Sequence, residues 1–300
     1  MRNKAAAVLI GLLANNAFAQ EPQTTESSDD MAPSILDRRV KADKVAIENP
    51  FSFSQHRRNY LLPATHISNP NGIGNQALTE ETIDNVEAKF QISVKIPLYQ
   101  RNEGIDGLYF GFTAVSFWQV YNDEASKPFR ETNYEPEVFY QWQADISFLG
   151  YRFNAVQAGL NHQSNGQSGI RSRSWNRLTA SALFSDYDSV YYIKSWWRLP
   201  EDDKIDINDP TGDDNPDIHD YYGRMEFGYG TVFGETEFFM RWRNNLKLDD
   251  NRGSIELNLT YPLNNRYHLM FQYFNGYGDS LIDYNRQQQR FGVGLQLRFL

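Results

Sequence analysis

Ala88, Phe90, Ile92, Val94 and Ile96 alternate with Lys89, Gln91, Ser93 and Lys95. Ile255, Leu257, Leu259 and Tyr261 alternate in the same way with Glu256, Asn258 and Thr260, and Phe291–Phe299 repeats the pattern at the C-terminus. A period of two belongs to a β-strand, whose successive side chains point to opposite faces. From about residue 53 onward the chain reads as twelve such segments, near 55–67, 85–98, 107–120, 131–146, 151–164, 173–185, 188–199, 219–230, 233–244, 253–262, 266–276 and 288–300.

One apolar and one polar face would also suit a soluble sandwich, so alternation does not by itself choose the solvent. Three further features do. The number of segments is even, as a single-chain bacterial membrane barrel requires. Connections alternate between tight turns (Asp186-Tyr187, Thr231-Val232, Leu263–Asn265) and long polar loops such as 201–220. Tyr and Trp gather at segment ends (Tyr191-Tyr192, Trp196-Trp197, Tyr221-Tyr222, Trp242) as interfacial girdles would. Aromatic residues make up 15% of a chain that is polar on average, and it has no cysteine. Disulfides, thiolate metal sites and a cysteine nucleophile are thereby excluded. A net charge of −9 speaks against nucleic acid as a partner. The expected fold is all-β, a 12-stranded antiparallel transmembrane β-barrel.

The N-terminus fits that destination. Arg2 and Lys4 precede a short apolar run, Ala5–Leu13, and Ala17-Phe18-Ala19 offers small residues for a signal peptidase. Residues 1–19 are read as a signal peptide, 20–50 as a disordered or loosely packed lead-in, and 51–300 as one outer-membrane barrel domain.

The inward phase carries Lys89, Lys95, Lys194, Arg198, Glu226, Glu235, Glu237, Arg241 and Arg243. Twelve strands make a narrow barrel, so these long side chains are expected to fill the lumen as paired ions. A small ion-selective pore is the other reading.

One stretch breaks the barrel pattern: Asn161-His162-Gln163-Ser164-Asn165-Gly166, then Ser172-Arg173-Ser174-Trp175-Asn176-Arg177. His162 and Ser164 share parity with Val156, Ala158 and Leu160, and Asn176 shares parity with Leu178, Ala180 and Ala182. Three polar side chains are thus placed on the lipid-facing wall, where polar groups are costly. A hairpin centred on Gly169 would set His162 opposite Asn176, with Cβ atoms about 5 Å apart. Asn176 would fix the imidazole tautomer and leave its other nitrogen to take the Ser164 proton, as in a serine hydrolase. A neutral asparagine orients the ring without adding negative charge. On phase alone, a His and a Ser near a strand end are more commonly interfacial polar residues with no chemistry.

The two blocks from Asn161 to Gly166 and from Ser172 to Leu178 resemble the active-site hairpin of the outer-membrane phospholipase A family. Pro128-Phe129-Arg130-Glu131-Thr132-Asn133-Tyr134-Glu135-Pro136 resembles its second block, and Glu87–Gln91 its second strand. The resemblance runs from about residue 50 to the C-terminus. It implies a calcium-dependent homodimer in the bacterial outer membrane that hydrolyses acyl esters of phospholipids, with phospholipase A1, A2 and lysophospholipase activities. It makes Ser164 the nucleophile, His162 the base and Asn176 its partner. It assigns calcium to the Ser172 side chain and Gln167 carbonyl of one subunit and the carbonyl of Ser126 of the partner subunit, all hard oxygen donors. Oxyanion donors are expected from backbone N–H groups at Ser164 and Gly166.

Three positions depart from the family pattern. Gln167 stands where arginine is common, which keeps a backbone ligand but loses any charge effect, and Gly169 stands where an acidic residue is common, which weakens a second calcium-binding mode. Ala114 stands where a buried interface glutamine is expected. Two rival functions share the architecture. A non-enzymatic porin would put its working residues in the lumen, and a lipid A deacylase-like barrel hydrolase usually has fewer strands and an acidic third member.

Overall fold

The computed structural model describes residues 54–297 except 102–103, 207–208 and 210. The expected signal peptide over 1–19 and the expected lead-in over 20–50 lie outside the described residues. Twelve strands run in order: β1 (Ser54–Gln55 and Asn59–Ile67), β2 (Val86–Gln100), β3 (Gly107–Trp118), β4 (Phe129–Phe148), β5 (Tyr151–Ser164) and β6 (Ser174–Ser185). Then follow β7 (Ser189–Arg198), β8 (Met225–Phe233), β9 (Thr236–Asn244), β10 (Gly253–Pro262), β11 (Tyr267–Tyr277) and β12 (Gln287–Leu297). Every pairing is antiparallel between chain neighbours, and β12 also pairs with β1, so the sheet closes on itself without an edge. Closure satisfies the backbone groups that hydrocarbon cannot.

Register shifts in the β1–β2 and β2–β3 ladders fall beside Pro63 and Pro97. Proline has no N–H to give to a ladder, so a bulge absorbs the defect. Long connections, such as 68–85, 165–173, 199–224 and 278–286, all lie at one end of the barrel, and short ones such as 149–150 and 234–235 at the other.

Four expectations need correction. The turn expected at Thr231-Val232 lies at Gly234-Glu235, because β-branched Thr231 and Val232 continue β8 while Gly234 supplies the positive φ of 60°. Glu235 is consequently an exposed turn residue that accepts from the Tyr261 hydroxyl, not a lumen residue. The segment expected as strand over 219–230 starts with a short helix α1 (Ile218–Tyr222) and becomes strand only at Met225. Ile218 and Tyr222, four residues apart, are both buried against Trp175 and Trp196, a spacing that a helix satisfies and a strand does not. Finally, Trp196 and Tyr222 are not girdle residues: alternation turns Trp196 inward while its neighbour Trp197 is 68% exposed.

Ion pairs occupy the lumen as two connected groups. Toward the loop end, Arg130 holds Glu87 through two bonds of 2.9 Å and Asp283 at 2.6 Å. Arg290 bridges Glu87 (2.8 Å) and Asp279 (2.6 Å), and Lys89 reaches Asp279 at 2.7 Å. Deeper, Arg57 makes a two-pronged contact with Glu135 (2.7 and 2.8 Å), which Arg177 also approaches. A cavity of about 610 Å³ remains among Arg57, Glu137, Lys194, Glu226, Arg241 and their neighbours. Buried ions persist only when each finds partners, and these do.

Candidate active site

β5 and β6 form the hairpin that carries the site. Their register sets His162 opposite Asn176 and Ser164 opposite Ser174. On the other side of β5, Tyr134 pairs with Ser164, and the same register continues at Glu137–Asn161, so Pro136 stands opposite His162. Three rows therefore cross the outer wall. The first runs Ile92, Ala114, Tyr134, Ser164, Ser174 and the second Pro136, His162, Asn176. The third, Val138, Leu160, Leu178, Trp197, is apolar and exposed.

Direction follows from the intervening residues. Asn161, Trp175 and Arg177 are buried in the lumen, so the residues that alternate with them face outward. Arg177 lies 4.0 Å over the Trp175 ring and donates to Asn161, while Trp175 Nε1–H donates to Gln163 at 2.9 Å. This inner layer fixes the strands from behind, and it leaves the outer groups free of competing contacts from the lumen.

His162 Nδ1 lies 2.9 Å from Asn176 Oδ1. An amide oxygen only accepts, so Nδ1 carries the proton and Nε2 keeps its lone pair. Asn176 Nδ2–H in turn donates to Glu201 Oε1 at 3.2 Å. Ser164 is two residues from His162 on the same face, about 6.6 Å along the strand, within reach of the long imidazole. Among the described residues no hydrogen bond joins Ser164 Oγ to the imidazole. Such bonds are often loose before substrate arrives.

The loop after Ser164 is held by Asn165. Its side-chain oxygen accepts from Gln167 N–H (3.3 Å) and Arg173 N–H (3.0 Å), and its amide donates to the Arg171 carbonyl (2.8 Å). Gly166 adopts φ of +65°, a left-handed turn that glycine takes without strain. Among the described residues its N–H donates to no protein acceptor, so that donor is available for a developing negative charge.

The acidic loop over 201–220 folds back onto this end. Asp214 Oδ2 accepts from Ser172 Oγ (2.6 Å) and Ser174 Oγ (3.1 Å), and its other oxygen pairs with Lys204 (2.5 Å). Ser172 is thereby brought to a carboxylate that sequence reasoning did not single out. Ser126 sits on the 119–128 loop with φ of 62°, its N–H donating to the Asp123 carbonyl, and no contact joins it to Ser172 within the described residues. No three His, Asp or Glu side chains converge as a metal cluster among the described residues. Glu201 and Asp214 were the residues missed. Both lie in the acidic run 201–220, whose composition looks the same whether it is solvated or engaged.

Comparison with known proteins agrees with the fold and places the chain in a family. The family model described as phospholipase A1 matches residues 36–297. The phospholipase A1 of Salmonella typhimurium is 34% identical over 301 residues, covering 97% of this chain and 98% of that protein. The solved outer membrane phospholipase A of Escherichia coli superposes with a TM-score of 0.76 at 34% identity, covering 86% of this chain and 97% of the other. The Salmonella typhi outer membrane phospholipase, solved as a dimer with bound calcium, matches equally well (TM-score 0.76, 34% identity, 87% and 98% covered). By its strands and its near-full-length kinship, the chain belongs to the phospholipase A1 family, as an outer-membrane β-barrel phospholipase.

Proposed function

We propose that this barrel is a calcium-dependent serine hydrolase that acts as a homodimer on phospholipids and lysophospholipids in the outer leaflet, with both A1 and A2 regiochemistry. The observation that carries the reading is the 2.9 Å contact between His162 and Asn176 on the outer wall, one row from Ser164.

His162 Nε2 accepts the Ser164 proton as Oγ attacks the ester carbonyl carbon. The carbonyl oxygen becomes negative and faces the N–H groups at Ser164 and Gly166. Collapse breaks the C–O ester bond, and His162 returns its proton to the leaving alkoxide. Water then attacks the acyl-serine, His162 takes the proton of that water, and the fatty acid leaves as Ser164 recovers its hydrogen. The exposed row Val138, Leu160, Leu178, Trp197 directly beside the triad offers hydrocarbon contact to an acyl chain whose ester lies at the triad's level.

Ser172 Oγ, the Gln167 carbonyl and the carbonyl of Ser126 of the partner subunit would hold calcium, with Asp214 beside Ser172 as an anionic ligand. The donors fit: all are oxygens, as calcium prefers, and the Asp214 carboxylate lies beside Ser172. When bound, calcium supplies positive charge next to the developing oxyanion. The match to a calcium-bound dimer supports the metal and the assembly. Ala114 lies in the nucleophile's own row, two strands from Ser164, so a partner packed there would cover the polar wall.

Hydrolysis of phospholipid in detergent with calcium, wild type against Ser164→Ala, tests the assignment. Equal rates in the two proteins would remove the catalytic claim.

A further inference from the structure

Asn176 is a neutral third member, so what aligns it and what balances the charge on His162 need a source elsewhere. The chain path provides one. β6 and β7 pair as far as Arg177 with Arg198, after which Leu199 N–H donates to the Asn176 carbonyl at 2.8 Å. That bond carries the chain to the edge of Asn176 as it leaves the barrel. Pro200 follows with its fixed φ, and the next residue, Glu201, sets Oε1 3.2 Å from Asn176 Nδ2. Glu201 is half-buried, whereas Asp202 and Asp203 beside it are exposed.

We infer that Glu201 is a positioning residue of the catalytic unit, fixing the orientation of the Asn176 amide and lending it negative charge. This rests on the triad reading above. A carboxylate has only acceptors to offer, so it demands the NH₂ of the amide and turns Oδ1 toward His162. With the amide reversed, NH₂ would face Nδ1, the proton would move to Nε2, and the imidazole would present Ser164 with a donor where a base is required. The hydrogen bond from Asn176 also polarises that amide, so that its oxygen becomes more negative where the imidazolium forms. Asn176 with Glu201 thus divides between two residues what one aspartate does in other triads. The other charged groups at this face, Asp214 and Lys204, are tied to each other and to Ser172 and Ser174.

The test uses the full mature protein in detergent with saturating calcium and a phospholipid in mixed micelles. Glu201→Gln is expected to lower kcat about 5- to 20-fold with KM unchanged within about twofold, the size of one weakened hydrogen bond to a charged group. Glu201→Asp is expected to retain more activity than Glu201→Gln, since the charge stays. Asn176→Asp alone sets two carboxylates against each other and is expected to fall more than about tenfold. The double variant Asn176→Asp/Glu201→Gln, with one charge again and a donor facing it, is expected to regain at least about fivefold over Asn176→Asp. Heat-shifted electrophoretic mobility confirms that each variant is a folded barrel. A kcat within twofold of wild type in Glu201→Gln, or an Asn176→Asp loss that is identical in both backgrounds, overturns the role of Glu201. Ser164→Ala and His162→Ala run alongside: activity surviving in those two overturns the triad itself, whereas their loss with an indifferent Glu201→Gln removes Glu201 alone.

Discussion

Replacing Asn176 with alanine removes its contact with Glu201 and deletes its hydrogen bond to His162, while nucleophile and base stay in place. The bond is 2.9 Å long and runs between two neutral groups at rest. Once His162 has taken the Ser164 proton, the same bond is made to an imidazolium, and a bond to a charged group is worth roughly 1.5–3 kcal/mol. Each 1.36 kcal/mol is tenfold in rate, so Asn176→Ala is expected to lose about 10- to 150-fold in kcat. KM should hardly move, because Asn176 lies behind the ring and away from the ester. Ser164→Ala and His162→Ala remove bond-forming and proton-moving atoms and are expected to fall to the uncatalysed background. Initial rates of fatty acid release from a phospholipid, measured over a range of substrate at saturating calcium, separate the two parameters. A loss below about threefold would mean that the bond does not orient the base, and a loss as deep as Ser164→Ala would mean that Asn176 does more than orient it.

Three other outcomes follow from the geometry. EDTA is expected to abolish turnover and excess calcium to restore it, and Asp214→Asn should raise the calcium needed for half-maximal rate about tenfold, as loss of one charged ligand implies; full rate in chelator contradicts the metal assignment. Arg130→Met leaves Glu87 with Arg290, and Asp283 with Ser280, and is expected to cost about 3–5 kcal/mol, read from guanidinium unfolding in detergent; a change under about 1 kcal/mol would count against the ion network as a structural element. His219 rests against Trp175, where burial and the charges of Arg224 and Arg198 push it down to about 4. The unfolded chain then binds a proton between pH 6.5 and 4 that the native loop does not, so stability falls as pH drops through that window. Discounted for partial exposure the effect is about 1–2 kcal/mol, and denaturant midpoints of His219→Gln should show a smaller drop between pH 7 and 4.5; identical pH profiles in both proteins would rule it out.

The period of two decided most of the architecture before any coordinates, because in hydrocarbon a strand must alternate and must close. Twelve strands and the outward parity of His162, Ser164 and Asn176 follow from counting, and so does the cross-strand meeting of His162 with Asn176 about Gly169. Local composition could not decide what depends on distant partners. Thr231-Val232 resembles a turn until the register of β9 shows Gly234 making it, and Trp196 resembles a girdle residue until Ile218 and Tyr222 cover it from a helix. Arg130, Glu87, Asp279, Asp283 and Arg290 come from three strands and a loop and find one another only when the barrel closes. Glu201 and Asp214 are two acidic residues in an acidic run, and only the return of that loop to Asn176 and Ser172 distinguishes them from exposed members such as Asp202 and Asp203. Alternation is a property of neighbouring residues, legible along the chain; the pairing of buried and site charges is set by contacts between residues far apart in sequence, and only the closed barrel brings those together.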